Sequence, residues 1–227
     1  GRMRSEKTHK FKVSSLGKIP QEWEVGSITS FVNNSNPNAI KPGPFGSSIK
    51  KEIYTQKGYK VYGQEQVISG NPHFGNYYVD RKKFKELEAF KIEPGDILLS
   101  LVGTIGNVLI LPSDCEAGII NPRLLKITPD KNKCETRFLA HSLLHSNTNI
   151  QLNRMATGGT MPVLNKGIVT SIEFVVPPVA EQHIIANTIS ALDKKIEFEA
   201  KELNKLVSLK RGLMTDLLTG AVRTIEK

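Results

Sequence analysis

His141 and His145 stand four apart in a stretch of helical periodicity, a spacing that lets two imidazoles share one metal ion. Ser142 follows His141 where a zinc protease needs a glutamate as general base, so the pair reads as two histidines that face solvent or bond their neighbours. Glu199-Ala200-Lys201 has the carboxylate–lysine spacing of nuclease metal sites, but it falls in a long helical stretch with no acidic loop partner. Cys115 and Cys134 sit in no CxxC pair and supply too few ligands for structural zinc. They read as reduced thiols of a cytoplasmic protein. The phosphate-cradling GxxxxGK[ST] loop and the GxSxG nucleophile elbow do not occur. The expectation is a chain with no catalytic residue, no metal site and no cofactor of its own.

Asn71-Pro72-His73-Phe74 is similar to the amine-binding loop of amino-methyltransferases, with His at the third place. Its companion FxGxG loop is absent, so the four residues read as a turn.

Other side chains offer groups suited to contact with nucleic acid. Amide and guanidinium groups read purine edges, while Lys, Ser, Thr and backbone N–H groups hold phosphates. The candidates are loop residues. Ser47, Ser48, Lys50 and Lys51 follow a Gly/Pro/Asn-rich run over 33–48. Gln64 and Gln66 flank Glu65 in a polar break between strands. Tyr77 and Tyr78 are placed to pack on a sugar or base. Thr104 and Asn107 sit at a glycine turn, and Arg154, Thr157, Gly159, Thr160 and Asn165 frame the last polar loop.

Short β-type runs must carry these loops. Tyr59–Tyr62, Val67-Ile68, Tyr77–Val79, Ile97–Val102, Asn107–Leu111, Leu124–Ile127 and Ile172–Val176 lie between Gly and Pro breakers. Gly103-Thr104-Ile105-Gly106 predicts a tight turn joining two buried strands. Helical turns are expected in 82–90, over 137–144 and again over 150–155. The fold class is α+β: a mixed β-sheet domain with short helices over 11–178, then a helical region over 179–220.

After Pro177-Pro178 neither Gly nor Pro occurs until Gly212. Ile185, Ile189, Leu192, Ile196, Leu203, Leu206, Leu213 and Leu217 follow alternating steps of four and three, with Glu199 and Lys210 as the polar members of the stripe. Eight apolar positions of ten make a coiled-coil seam. Ser190 with Asp193 resembles a capping box, which predicts a short helix near 180–190 and a long one near 191–218, roughly 42 Å at 1.5 Å per residue. Ile196, Leu203, Leu206 and Leu213 should carry helix pairing. The seam can cover the first domain, a second copy or another protein.

The 227 residues hold 31 Lys+Arg against 22 Asp+Glu, a net charge of +9. Residues 1–178 carry 23 against 15, and 179–227 carry 8 against 7, so the basic surplus lies in the first domain. A basic domain attracts polyanions by releasing their condensed counterions. No apolar run approaches the ~18 residues of a membrane span, and the basic N-terminus lacks the apolar stretch of a secretory signal. Gly1-Arg2 ahead of Met3 reads as a cloning remnant. From the residues alone two other readings stay open: a coiled-coil module whose basic domain binds an acidic protein, and a catalytic DNA enzyme.

Four segments in order resemble the specificity subunit of type I restriction–modification systems. They are Gly17-Lys18-Ile19-Pro20-Gln21-Glu22-Trp23-Glu24-Val25; Gly95-Asp96-Ile97-Leu98-Leu99-Ser100 with Gly103-Thr104-Ile105-Gly106; Gly158-Gly159-Thr160 through Leu164-Asn165-Lys166 and Val175-Val176-Pro177-Pro178 to Glu181-Gln182; and Leu213-Met214 with Leu217-Leu218-Thr219-Gly220. The resemblance implies a non-catalytic DNA-reading module with one target recognition domain and one helical region. Family members have two of each, so this chain is either a half-subunit that dimerises or half of a longer protein. The implied partners are double-stranded DNA, methyltransferase subunits that carry S-adenosylmethionine and methylate adenine, and a motor-nuclease subunit that cuts unmethylated DNA. A second copy, or a second specificity half, would pair through antiparallel helices and set a spacer near one DNA turn of about 34–36 Å. Replacing Lys50 and Lys51 by Ala should weaken binding to every DNA sequence alike. It should also lower the salt slope by about 2, since each lysine neutralises one phosphate; titration at several salt concentrations measures both.

Overall fold

The computed structural model describes residues 10–45, 48–49, 51–157 and 162–224. The chain divides into two compact units, one up to Ile184 and one from Ile185.

The first unit opens with the hairpin β1 (Phe11–Ser14) and β2 (Gly17–Pro20), turned at Gly17 with φ +98°. Then come β3 (Glu24–Gly26), β4 (Ile40–Pro42), β5 (Tyr59–Tyr62), α1 (Gln64–Ser69), β6 (Tyr78–Val79), α2 (Arg81–Glu86), β7 (Ile97–Ser100), β8 (Val108–Ile110), β9 (Gly118–Ile120) and β10 (Leu124–Ile127). Three helices follow, α3 (Thr136–Leu144), α4 (Ser146–Met155) and α5 (Lys166–Ser171), then β11 (Phe174–Val176) and α6 (Val179–Leu218).

The main sheet is antiparallel in the order β4-β10-β7-β8. Every residue of β7 and β10 is buried, so these strands read as unbroken apolar runs and not as alternation. Leu98, Leu109, Leu111 and Leu124 join Tyr62, Val67 and Ile120 in one core cluster. A second, mixed sheet has the order β6-β5-β9, with β5 and β9 parallel. Parallel neighbours need a long crossover, here supplied by everything from α1 to β8.

The expected glycine turn joins β7 to β8, with Leu98 opposite Leu109 and positive φ at Gly103 and Gly106. Ser100 is buried and builds the turn: its hydroxyl donates to the Thr104 carbonyl at 2.7 Å and accepts from the Asn107 N–H at 3.0 Å.

The two ends of the unit are stitched together. β3 pairs with β11, Val25 opposite Val175. Trp23 Nε1 donates to Glu181 Oε2 at 2.9 Å across 158 positions of chain. Gln182 is buried: its Oε1 accepts from the Glu135 N–H, and its Nε2 donates to the Lys133 and Pro177 carbonyls.

Two expectations are corrected. Val67-Ile68 is not a strand; it lies in α1, a six-residue helix started at Gly63 and stopped by Gly70 at φ +67°. The break near 190 does not exist, because α6 runs unbroken for 40 residues, roughly 60 Å. Ser190 and Asp193 lie inside it, away from any helix start. Serine caps only where a helix begins, and with neither Gly nor Pro between Pro178 and Gly212 nothing breaks this one. The helix ends before Gly220, at φ +75°.

In the second unit the predicted seam faces outward. Ile196, Leu203, Leu206 and Leu213 are 66%, 61%, 62% and 49% exposed. Ion pairs Glu197–Lys201 and Glu202–Lys205 flank it. Among the described residues no helix is long and apolar enough to cross a membrane.

Truncating Gln182 to Ala strips partners from one N–H and two carbonyls, so it should lower unfolding stability by about 2–3 kcal/mol in denaturant titration.

Candidate nucleic-acid interface

The loop 71–76 is fixed from beneath by a buried cation. Lys60 on β5 is 1% exposed, and an ammonium so placed must be matched on all sides. Its Nζ donates to the His73 carbonyl at 3.1 Å, the Gly75 carbonyl at 3.2 Å and Glu116 Oε1 at 2.7 Å. Glu116 also accepts from the Tyr78 hydroxyl at 3.1 Å. The Lys60 hydrogen bond holds the Glu116 carboxyl below the usual glutamate range. Asn71-Pro72-His73-Phe74 forms the turn its composition predicts, with the His73 N–H donating to Asn71 Oδ1 at 2.9 Å.

Gln66 pins the same loop from the other side. It is buried, its Oε1 accepts from the Gly63 N–H at 2.7 Å, and its Nε2 donates to the Phe74 carbonyl. Both ends of the amide are engaged inside the fold. This corrects the expectation that Gln66 reads bases; its work is to shape the loop. Gln64, on the same short helix, is half-buried, and its Nε2 donates to the Val102 carbonyl at the glycine turn.

Above these supports lies an open cleft lined by Tyr54, Val61, Glu65, Phe74, Gly75, Asn76, Tyr77 and Asn121. The Tyr54 and Tyr77 rings stand 5.2 Å apart, and burial pushes the Tyr54 hydroxyl above the ordinary tyrosine value. Tyr77 is about half exposed, whereas Tyr78 is half-buried and committed to Glu116.

A second cluster surrounds the glycine turn. The Gly103 N–H donates to the Pro162 carbonyl, Val102 bridges to Val163, and the Leu164 N–H donates to the Leu101 carbonyl. The Thr157 and Val163 backbones exchange both hydrogen bonds. α4 approaches from the side, since a β-carbon on Gly106 would lie 2.9 Å from Asn149 Oδ1. This brings Gln64, Thr104, Asn107 and Thr157 to one region although they are scattered through the chain. Thr104, Arg154, Thr157 and Asn165 are exposed; Asn107 is half-buried with its amide on the Thr104 carbonyl. Asn165 caps α5, its Oδ1 accepting from the Ile168 N–H. Ser48 sits half-buried in a turn closed by its own N–H on the Phe45 carbonyl, and Lys51 begins a 3₁₀ turn. Ser47, Lys50, Gly159 and Thr160 lie outside the described residues.

The two histidines are not on one helix. α3 ends at Leu144, and His145 Nδ1 caps α4 by accepting from the Asn147 N–H. Cys134 is buried, and burial pushes its thiol up to about 12, far from a reactive thiolate.

Sequence reasoning missed Glu65 and Asn121, which share the cleft. Glu65 carried one signal, an acidic residue between two glutamines in a basic domain. Asn121 carried none, because its neighbour in space is 56 positions away.

Glu116 titrates lower in the folded chain than in the unfolded one. The stability it lends is therefore complete above about pH 4.3, the ordinary glutamate value, and is lost as pH falls through its lower folded value. Glu116→Gln should flatten this acid limb in thermal melts from pH 7 to 3. Lys60→Met should cost about 2–3 kcal/mol at pH 7.

The family model described as "Type I restriction modification DNA specificity domain" matches residues 20–208 of this chain. A Methanocaldococcus jannaschii protein provisionally named type I restriction enzyme MjaX specificity subunit is 29% identical over 94% of this chain and 46% of its own length. The type I restriction enzyme MjaVIII specificity subunit of the same organism is 24% identical over 94% of this chain and 49% of its own. The chain thus spans about half the length of the curated relatives it matches. Among solved structures, the HsdS subunit from Thermoanaerobacter tengcongensis superposes with a TM-score of 0.58 at 14% identity, covering 91% of this chain and 47% of that one. A chain solved in work on complex assembly and conformational transition of the type I R-M system gives a TM-score of 0.64 at 15% identity, covering 87% and 46%. These likenesses support the fold, and the match over 20–208 fixes the kinship: the chain belongs to the type I restriction–modification DNA specificity domain family.

Proposed function

We propose that this chain is a non-catalytic, DNA-reading half of a type I specificity subunit. It directs adenine methylation, and restriction of unmethylated DNA, to a bipartite site in the cytoplasm. The recognition part over 11–178 reads one half-site. The helical region over 179–220 docks methyltransferase subunits, which carry S-adenosylmethionine, and pairs antiparallel with a second copy or a second specificity half. A motor-nuclease subunit completes the restricting complex.

The observation that carries this reading is the family match over 20–208 in a chain about half as long as its relatives. The rest supports it. The basic surplus lies in the segment that bears the cleft and the glycine turn. The exposed Ile196, Leu203, Leu206 and Leu213 of α6, spaced as a heptad seam, suit burial against another helix.

The test is methylation mapping on a random-sequence plasmid library, with this chain and its methyltransferase subunit co-expressed. A split palindrome methylated at adenine is the expected result. An asymmetric site from this chain and the methyltransferase alone would refute pairing of two copies. Absence of modification that persists after a second recognition half is added would refute the specificity role.

A further inference from the structure

Gly63 stands between β5 and α1, and the space its missing side chain would fill is occupied from both sides. A β-carbon there would lie 2.5 Å from Glu65 Oε2 and 2.8 Å from Asn121 Nδ2. A carboxylate oxygen and an amide N–H thus meet over a bare glycine, at the cleft that both side chains line. Asn121 Oδ1 is already used, accepting from the Arg123 N–H at 2.9 Å. Among the described residues the Glu65 carboxylate and Asn121 Nδ2 have no hydrogen-bond partner. Both residues are half-buried, so the two groups are partly shielded from water.

A carboxylate only accepts, and phosphate repels it. In the major groove the one DNA feature it matches is an exocyclic amino group, N6 of adenine or N4 of cytosine. The neighbouring amide N–H donates, and both base pairs place an acceptor next to that amino group. Adenine offers its own N7, and the C·G pair offers guanine O6. Turned the other way, each pair would set a carbonyl oxygen against the carboxylate. The arrangement therefore selects one strand orientation of a base pair. The exposed Tyr77 and Phe74 rings beside it suit a sugar or base face, and the Lys60 and Gln66 hydrogen bonds hold Phe74 in place.

We propose that Glu65 and Asn121 together read one base pair of the target through the amino group of adenine or cytosine in the major groove. This rests on the DNA-reading role assigned above and names two residues that perform it.

The experiment repeats the methylation map with Glu65→Gln and Asn121→Asp. Both changes keep the side-chain shape. Asn121→Asp retains the oxygen that accepts from Arg123 and inverts only the facing atom. Thermal melts establish that both variants are folded. Each variant should relax the same single position of the motif, by about tenfold or more, and leave the other positions intact. An unchanged motif in both variants would overturn the inference while the DNA-reading role stood. Uniform loss at every position, with loss of co-purifying methyltransferase, would also overturn it and mark the cleft as a protein-docking surface. Failure of the unmutated chain to give any motif, even with a second recognition half added, would overturn the DNA-reading role, and this inference with it.

Discussion

One ammonium group organises the first unit. Lys60 sits in the middle strand of the mixed sheet, almost wholly withdrawn from water, where its Nζ needs hydrogen-bond partners. Its partners are two carbonyls of the 71–76 loop and the carboxylate that precedes β9. One desolvated charge therefore fixes the loop, the approach of the parallel strand and, through Glu116, the Tyr78 hydroxyl. Gln66 repeats the device with a neutral amide. Between them they give an irregular, turn-rich segment the definition usually found in regular elements.

Much of the frame was legible from sequence, and the reasons are specific. The β7–β8 pair announces itself because two apolar runs of strand length flank glycines that only a turn explains. The long helix announces itself by its heptad steps. The errors have physical causes too. α1 reads as strand because six residues are too few to show helical periodicity, and Val-Ile is β-branched. Gln64 and Gln66 look alike in sequence, yet only one is buried: helix geometry turns residues two apart onto different faces. Lys60 is one of 31 basic residues, with nothing local to distinguish it. Glu65 and Asn121 become neighbours only once β5 pairs with β9.

The segments that carry the family resemblance prove to be mostly framework. Trp23, Glu181 and Gln182 belong to the stitch that joins the ends of the unit, and Ser100 builds the glycine turn. The Gln182 and Ser100 interactions tolerate little change, because each satisfies groups withdrawn from water. The cleft and the exposed loop residues carry no such obligation to the fold.

The stitch also has a kinetic side. Strand β3 finds its partner β11 only after almost all of the intervening chain has been made, and the Trp23–Glu181 bond spans 158 positions. Closing so long a loop pays its entropic cost before any contact rewards it, so this pairing belongs late in folding. During synthesis Trp23 and Val25 wait on the ribosome-bound chain as an unpaired apolar edge while the sheets behind them assemble. The apolar seam of α6 emerges just after the last strand that this edge needs. The moment when the first unit closes is thus also the moment when the exposed apolar seam appears, and a nascent chain that has not yet closed carries both an open strand edge and an apolar helix face.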